Sequence, residues 1–534
     1  MIVLAPLLPP SKSEAQQVLY WDRDPIVDGV QDGGNGSIWD AANRANWLPS
    51  PSSPSTQNTM WPGGASGFDT IAAFGNGGVL DSRDMRIVNV SGTVNAGGLL
   101  FRPIALGPAE GAPPSATLYT SYGLVGGVIS LAENANIEIG ENTSSMSLSQ
   151  RVTLVSQIAG HNINITRTAG ATDWGFLEVR GPNTWTGTLN VGPQVFLELR
   201  AVAASNTLTS VNIADSTTLS LFYTAGGDSN YTNAISLTGE GFGGRGALRF
   251  DETLTQSGNI TLTGDASIGT GASNFTGTIA GSIGQSGGSR VLKINGNGIG
   301  GKIILQGNNT FTGGVEILAG TLRITGDSSL GAVPASADAN NITMNGGILQ
   351  LAGSFNIHAN RGILLQTRGG TIDTEAQNTT YAGIISGNGP LSKAGTGTLT
   401  LSGANTYSGE TRVLGVLVVA NDQALGDSSQ GTIVSGSIGR LELTGGVTVT
   451  GESLITPTLS NRSGNNTWDG SVRAAVGIVM VLESKEGSLL ISGNVSAQST
   501  DGIDHSLTLQ GDGDAEISGS LTRAINLSKS GTGT

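Results

Sequence analysis

The chain has 534 residues, a formal net charge of −14 and no Cys, and Gly supplies 83 positions while charged residues supply only 12%. The acidic balance predicts no nucleic-acid partner, which would need a basic stripe, and it disfavours binding to anionic membrane surfaces. No apolar run reaches the roughly 18 residues of a membrane-spanning helix, and the lack of Cys excludes disulfides and thiolate metal sites. Val, Ile, Leu and Thr are too abundant for a disordered chain, so the composition predicts an exported, β-rich protein.

Residues 1–15 are predicted to be a truncated signal peptide. Residues 2–9 form a short apolar run, and residues 13–15 fit the small-x-small pattern at which such peptides are cleaved. A basic segment before the apolar run is missing, so a disordered leader stays the alternative. At the other end the chain stops inside a recurring phrase, residues 527–534. We therefore expect the repeat region to be truncated at its carboxyl end.

Residues 16–85 contain four of the seven Trp residues and are predicted to form a Trp-rich amino-terminal cap. The first turn of a solenoid would otherwise expose its apolar interior to water, which explains a cap of large apolar side chains. The alternative is a carbohydrate-binding platform, because aromatic rings offer a flat apolar face with a polar handle. Both explanations concern Trp21, Trp39, Trp47 and Trp61, with the linker-like residues 49–55 between them.

From residue 86 to residue 534 a short phrase of alternating apolar residues closed by Gly or Asn recurs. Examples of the alternating pairs are Leu322/Ile324, Leu349/Leu351, Leu399/Leu401, Leu441/Leu443 and Leu507/Leu509. Strict alternation predicts strands with one buried and one wet face, and a helical period is absent. Because this short-strand pattern continues over the whole stretch, it predicts an all-β parallel β-helix, or solenoid, with about 20–25 residues per turn. A string of separate β-sandwiches is the alternative fold.

One motif, Asn-Thr-aromatic-Ser/Thr-Gly, recurs three times. Its copies are residues 183–187, 309–313 and 405–409, with a shorter relative at 274–277. Asn tolerates the left-handed conformation and stacks in ladders, the aromatic ring would cover the edge of the core, and Gly would let the chain turn. The residue types therefore predict a structural role at one corner of a turn. In addition, residues 391–398 return at 527–534 with only Ala394 replaced, by Ser530.

The stretch 391–409 resembles the autotransporter-associated β-strand repeat of bacterial autotransporter passengers. The resemblance is strong over residues 290–430, weaker over 150–290 and 430–534, and suggestive over 20–80. It implies a right-handed β-helix on the outside of a bacterial cell, associated with the outer membrane. Membrane contact is then expected only through a domain absent from this chain. The irregular spacing of the motif copies departs from the family pattern.

Acid–base chemistry would need convergent carboxylates, and calcium would need several oxygen ligands. The candidates are Asp373 with Glu375, Asp501 with Asp504 and His505, and Asp512 with Asp514 and Glu516. The other two histidines, His161 and His358, leave little room for a triad or a zinc site. Residues 326–329 and 426–429 superficially resemble serine-hydrolase motifs, but their recurrence at matching places in two repeats predicts turns. We therefore predict no catalytic, metal-binding or cofactor-binding residues, and no enzyme activity.

These observations predict a non-enzymatic passenger, secreted or displayed at the cell surface, that acts as an adhesin or a structural stalk. Its expected partners are surface glycans of a host or the environment, or further copies of itself. Two alternative functions stay open. One is an exported β-helical polysaccharide lyase or hydrolase, and the other is a glycan-binding module that uses the amino-terminal Trp residues.

Overall fold

The computed structural model divides the chain into two compact units, Met1–Asp228 and Ser229–Thr534. The structure describes residues 17–21, 37–39, 45–48, 59–60, 70–74, 86–101, 121–140, 150–168, 174–181, 183–200, 207–222, 229–296, 299–436, 438–475, 479–499 and 502–534. The predicted signal peptide, 1–15, lies outside the described residues. Apart from two short 3₁₀ helices, Phe242–Gly244 and Asp327–Leu330, the regular elements of the described residues are strands. This confirms the all-β prediction.

The strands of the first unit pair mainly in parallel, each with a strand of the next turn. The described strands are Gln17–Trp21, Ser37–Trp39, Ala45–Leu48, Thr59–Met60, Thr70–Phe74, Arg86–Val90, Thr93–Phe101, Ser121–Val125, Val128–Ile139, Gln150–Leu154, Gln157–Arg167, Gly175–Val179, Thr184–Val191, Val195–Leu199, Leu208–Ile213 and Thr218–Leu221. Val152, Leu177, Leu197 and Leu219 are register neighbours on four successive strands, and all four are buried. Because the side chains of a strand alternate between its faces, the inward rows merge into one apolar stack.

Among the described residues, three parallel β-sheets lie wholly within the second unit, and we call them the long, middle and short sheets. The long sheet consists of Asn230–Tyr231, Leu254–Gln256, Thr276–Ile279, Lys302–Leu305, Thr321–Ile324, Ile348–Leu351, Gly370–Asp373, Leu391–Ala394, Thr411–Val413, Thr432–Val434, Leu454–Thr456, Val472–Ala474, Val495–Ser496 and Leu521–Thr522. The middle sheet consists of Thr379–Tyr381, Thr398–Leu401, Val416–Val419, Arg440–Thr444, Thr458–Ser463, Met480–Ser484, His505–Gln510 and Ala524–Lys529. The short sheet consists of Thr448–Thr450, Asn465–Asp469, Ser488–Ile491 and Asp514–Ile517. Further strands are Ala234–Gly239, Leu248–Phe250, Ile260–Thr270, Ile283–Gln285, Leu292–Ile294, Val315–Ile317, Asp338–Met344, Arg361–Leu365 and Ile385–Gly387.

The register of the long sheet sets the length of a turn. Leu391, Thr411, Thr432 and Leu454 are aligned on successive parallel strands, so one turn takes 20 to 22 residues here. Strands that pair in parallel at this step, turn after turn, form a β-solenoid. The predicted β-helix is thereby confirmed over the alternative of separate β-sandwiches.

The core of the second unit is built from columns of identical or similar side chains. In the middle sheet Leu399, Leu417, Leu441, Leu459 and Leu482 follow one another in register, and each is at most 1% exposed. Full burial of a Leu side chain contributes roughly 1.5–3 kcal/mol relative to an exposed one. The alternating pairs found in the sequence are therefore the inward residues of stacked strands.

The Trp-rich segment is partly described. Trp39 is fully buried, its ring lies edge-on to Phe74 at 5.8 Å, and Phe74 stacks on Phe101 at 5.3 Å. Trp21 and Trp47 are register partners in an antiparallel pair of strands. Trp61 and residues 49–55 lie outside the described residues. The burial of Trp39 agrees with a capping role for that side chain, and the boundaries 16–85 stay a prediction.

Candidate functional site

The Asn of the repeat motif joins three successive turns of the solenoid. In the copy at 405–409 the side-chain Oδ1 of Asn405 accepts a hydrogen bond from the backbone N–H of Ile385 at 2.8 Å. Its Nδ2 donates to the backbone carbonyl of Ala424 at 2.6 Å. Asn405 is 3% exposed, so both bonds satisfy backbone groups that water does not reach. The side chain is a clamp between backbones, whereas the sequence suggested a ladder of Asn side chains at this position.

The other copies repeat this geometry. Asn309 accepts from the N–H of Ile283 at 2.7 Å and donates to the carbonyl of Ser329 at 2.6 Å. Asn183 accepts from the N–H of Ile158 at 2.9 Å. The three Asn residues are at most 5% exposed. The motif is therefore a repeated structural device, used in both units.

The aromatic residue of the motif lies in the core. Trp185, Phe311 and Tyr407 are at most 1% exposed, and the hydroxyl of Tyr407 shares a hydrogen bond of 2.6 Å with the Thr411 hydroxyl. Burial raises the pKa of Tyr407 far above its ordinary range. Phe275, in the shorter relative of the motif, is only half-buried. The prediction that the aromatic covers the core edge is confirmed for the three full copies.

The closing Gly of the motif is required by the close approach of neighbouring turns. A Cβ on Gly409 would collide with the carbonyl of Gly389 in the preceding turn. Gly426, one turn later, has a φ of +76°, and a Cβ there would collide with the carbonyl oxygen of Tyr407. The sequence predicted that this Gly lets the chain turn. At Gly409 the structural reason is instead that the backbone of the preceding turn leaves no room for a side chain.

A buried Arg that the sequence did not single out holds the turn after the second motif copy. The side chain of Arg361 is fully buried, and its guanidinium bonds to both carboxylate oxygens of Asp327 at 3.0 and 3.3 Å. It also donates to the carbonyls of Gly331 at 2.7 Å and Ala332 at 3.2 Å, and to the side chain of Asn341 at 3.0 Å. The only signal in the sequence was a lone Arg in a chain with few charges. Residues 326–329 are thus a structural turn, as predicted.

Two further ionisable groups are buried in the second unit. The Nζ of Lys393 donates to the Thr374 hydroxyl at 2.9 Å and to the backbone carbonyl of Gly395 at 2.8 Å, and burial lowers its pKa to about 8. Glu452 is 3% exposed and accepts a hydrogen bond from the Thr432 hydroxyl at 2.6 Å. Burial raises the pKa of Glu452 to about 7. Lys393 thus holds turn carbonyls, while Glu452 is a buried carboxyl without an ion pair to a described Lys, Arg or His.

Asp373 and Glu375, the first candidate carboxylates, are both bound to structural partners. Asp373 accepts hydrogen bonds from the Gln350 side chain at 2.7 Å and from the N–H of Glu375 at 2.8 Å. Glu375 in turn pairs with Arg323 at 2.9 Å. These bonds connect strands of three successive turns of the long sheet. They give both carboxylates a structural role.

The carboxyl-terminal candidates are bound in the same way. Asp512 accepts from the N–H and hydroxyl of Thr532 at 3.2 and 2.8 Å, and Asp514 from the N–H of Thr534 at 2.7 Å. Hydrogen bonds from these Thr residues lower the pKa of both carboxyls. Glu516 faces outward on the last strand of the short sheet. In both Asp–Thr pairs the partners are 20 residues apart, which is one turn, so these bonds join stacked turns.

The histidines lie apart in the fold and contact polar neighbours. His161 hydrogen-bonds the Thr186 hydroxyl at 2.9 Å, and His505 hydrogen-bonds Ser499 at 3.0 Å. His358 accepts from the N–H of Asn360 at 3.1 Å. Asp504 binds the Gln498 side chain at 2.9 Å, and Asp501 lies outside the described residues. Within the described part of the chain, no three His, Asp or Glu residues gather in a way that could hold a metal ion.

A row of outward-facing Asn residues crosses four parallel strands of the first unit. Asn136, Asn164, Asn190 and Asn212 are register neighbours on four parallel strands. Asn190 donates to Asn164 at 3.0 Å, and Asn212 donates to Asn190 at 2.8 Å. The row is exposed or half-exposed. We call these four residues the Asn row. Alternation along each strand predicts polar outward faces, but this alignment depends on the register between turns.

Two comparisons relate the chain to known proteins. The model of the passenger-associated-transport repeat matches residues 300–324 and 391–415, which include the Asn clamps and buried aromatics at 309–311 and 405–407. The chain is also 32% identical over 185 residues to the "Adhesin BmaC autotransporter" of Brucella suis biovar 1 (strain 1330). That match covers 32% of this chain and 5% of the relative.

No solved structure matches the chain. Among the described residues, no helix has the length and apolar character needed to cross a bilayer. The two matched segments contain complete copies of the Asn-Thr-aromatic-Ser/Thr-Gly motif, and the parallel turns on which they lie continue on either side of them. The chain is therefore an autotransporter-passenger-like repeat protein with a β-solenoid fold.

Proposed function

We propose that this protein is a non-enzymatic passenger, displayed outside a bacterial cell, that works as an adhesive stalk. The observation that carries the proposal is the similarity to a protein named as an adhesin. The fold supports the proposal, because the side chains of the repeat motif hold neighbouring turns together, which is the role expected in a stalk. The matched stretch spans 5% of that relative's length. The adhesive role of this chain is therefore our proposal and not a property carried over from the relative.

The Asn row is the surface that we propose for adhesion. A side-chain amide carries two donors and an acceptor with two lone pairs, and the bonds along the row use one donor of Asn190 and one of Asn212. Each of these amides therefore keeps hydrogen-bonding capacity towards solvent. Strands in a sheet repeat at about 4.8 Å, so the row offers evenly spaced amides to an extended, uncharged polymer such as a surface glycan.

The flanking residues favour an uncharged ligand. Thr188 and Ser210 share a hydrogen bond of 3.2 Å beside the row, and Thr166 donates to Asn136 at 2.9 Å. Glu138, on the same strand as Asn136, accepts a hydrogen bond from the Thr168 hydroxyl at 2.9 Å. Such a face recognises hydroxyl groups better than a charged partner.

The geometry favours this function over the two alternatives. A polysaccharide hydrolase needs two free carboxyl groups across the scissile bond. The paired candidates Asp373 with Glu375 and Asp512 with Asp514 are bound to structural partners, which leaves the exposed Glu516 without a second free carboxyl from its cluster. A Trp platform would need exposed rings, and Trp39 is fully buried. These observations support a binding role for the polar face.

The test is binding of the full chain to a panel of immobilised neutral polysaccharides. Replacing Asn164 and Asn190 with Ala should weaken binding about tenfold, because each lost hydrogen bond contributes roughly 0.5–1.5 kcal/mol. A matched pair of exposed Asn residues, Asn274 and Asn308 changed to Ala, is the control and should bind like the wild type. Equal binding by both variants would remove the Asn row from the proposal. Release of reducing ends from any polysaccharide would favour the enzyme alternative instead.

A further inference from the structure

Large aliphatic side chains are exposed along one corner of the second unit, where the chain passes from the long sheet to the middle sheet. Leu414, Ile438, Val479 and Ile503 lie in these corner segments and are 52%, 45%, 48% and 56% exposed. In the turn between Ile438 and Val479 the corner is the buried Pro457. Four of five successive turns thus carry an exposed aliphatic side chain. We call these four residues the corner strip.

Two further outward-facing aliphatic side chains lie on strands of the long sheet that lead into the corner. Ile433 and Ile455 are outward-facing, half-buried register partners on adjacent strands. The same outward row continues to Arg412 on one side and to Arg473 on the other. Exposed apolar side chains that cluster on one side of a soluble protein mark interaction sites. Other exposed aliphatics in the described residues, such as Val333, lie outside this corner.

Three arginines near the corner strip are more exposed than the carboxylates they approach, and the one acidic neighbour in the described residues of the strip's own segments, Asp504, is held by the Gln498 side chain. Arg412 is 65% exposed while its partner Glu410 is 23% exposed. Arg440 and Arg462 are 44% and 52% exposed, and both approach Glu442, which is 6% exposed. The cations therefore reach outward and the carboxylates are covered. The Debye length at physiological ionic strength is about 8 Å, so a partner at this corner experiences these arginines more than the chain-wide charge of −14.

We propose that the corner strip binds an anionic lipid surface. The register of the middle sheet aligns the corner segments of Leu414, Ile438 and Val479, and aliphatic side chains from four of the five turns can enter a planar lipid interface. Basic residues beside inserted aliphatics are the usual composition of interfacial membrane-binding segments, because they pair with anionic headgroups. The chain-wide acidity argued against anionic membranes, and the local exposure of Arg412, Arg440 and Arg462 reverses that argument at this corner.

Two other occupants fit the observations less well. The cores of protein interfaces are enriched in aromatic residues, whereas the strip and its extension consist of Leu, Ile and Val. A second copy of the chain packed strip against strip would bring the two sets of exposed arginines together. The charge at this corner therefore complements an anionic surface and opposes a symmetric dimer.

The experiment is flotation of the full chain with vesicles of phosphatidylcholine alone or mixed with phosphatidylglycerol. We expect co-flotation with the anionic vesicles, weaker at high salt, and about tenfold weaker for Leu414→Ser/Ile438→Ser/Val479→Ser. The matched control, Val155→Ser/Val333→Ser/Ile384→Ser, removes three exposed aliphatics outside the strip and should float like the wild type. Arg412→Gln/Arg440→Gln should lose the preference for anionic vesicles.

Some outcomes would overturn the proposal. Absence of the wild type from every vesicle fraction, or equal flotation of the strip variant and the control, would each do so. A wild-type dimer that the strip variant converts to monomer, with no vesicle binding, would assign the strip to self-association. Circular dichroism of each variant confirms that the fold is kept. The result does not depend on glycan binding at the Asn row, so failure of either proposal is distinguishable from failure of the other.

Discussion

Asp327 and Arg361 are 34 residues apart in sequence and form a two-bond ion pair, with Nε–Oδ1 at 3.0 Å and Nη2–Oδ2 at 3.3 Å. The Arg361 side chain is fully buried and the Asp327 side chain is 22% exposed. The guanidinium also donates to turn carbonyls, so one side chain satisfies several backbone groups of the turn at 327–332. The pair ties the turn that follows the repeat at 300–324 to the start of the strand Arg361–Leu365.

Replacing Arg361 with Ala should destabilise the second unit by about 3–5 kcal/mol, because it leaves turn carbonyls and a carboxylate without their donor. The matched control is Arg412→Ala, which removes an exposed pair with Glu410 and should cost no more than about 1 kcal/mol. Urea denaturation followed by circular dichroism measures both. Equal midpoints for the two variants would contradict the structural role of Arg361.

Tyr407→Ala should destabilise the turns around it by about 3–5 kcal/mol, because it empties the volume of a fully buried ring. Tyr407→Phe keeps the ring and loses only the hydrogen bond to Thr411, so about 1 kcal/mol is expected. Hydrogen exchange of residues 385–430, followed by mass spectrometry, locates the effect. If the Ala variant exchanges like the Phe variant, the ring contributes little to packing.

Asn405→Ala should speed hydrogen exchange at the Ile385 amide, because that buried N–H loses its acceptor. Leaving a buried polar group unsatisfied costs roughly 1–3 kcal/mol. Asn274→Ala, at an exposed position of the shortened motif, is the control and should stay within about 0.5 kcal/mol of the wild type. Similar effects of both substitutions would mean that the clamp is not needed for stability.

Glu452 makes the stability of the second unit depend on pH. Burial raises its pKa from 4.5 to about 7, so the folded state prefers the protonated form. The associated stabilisation is complete below pH 4.5 and is lost as the pH rises towards 7, with a total change of roughly 3 kcal/mol. Glu452→Gln should remove this slope. Urea midpoints of wild type and variant between these pH values measure it, and parallel curves would contradict the assignment.

Parts of the fold were fixed by local patterns alone. Alternating pairs such as Leu399/Leu401 predicted strands with one buried face, and the structure stacks them in register with Leu417 and Val419. The repeated Asn-Thr-aromatic phrase predicted a structural corner, and its rings are buried as expected. Such features can be predicted from the sequence because an alternation of period two and a recurring motif are visible within one segment. Neither requires knowing which turn lies next to it.

Which groups meet across turns was decided only by the tertiary structure. The partners of Asn405 lie about 20 residues before and after it, and Arg361 meets Asp327 across 34 residues. Turn lengths vary, so the sequence does not specify which backbone carbonyl will face a given side chain. The burial of Glu452 is likewise not predictable from its own segment, because it depends on how the turn carrying Thr432 stacks against it.

The sequence by itself determined that this chain is a solenoid of short strands with an apolar interior and polar outward faces. The stacking of turns decided that Asn136, Asn164, Asn190 and Asn212 form one row, and that Leu414 and Ile438 lie along one corner. The physical reason is that alternation is a property of each strand, whereas a surface row exists only once the register of successive turns is set.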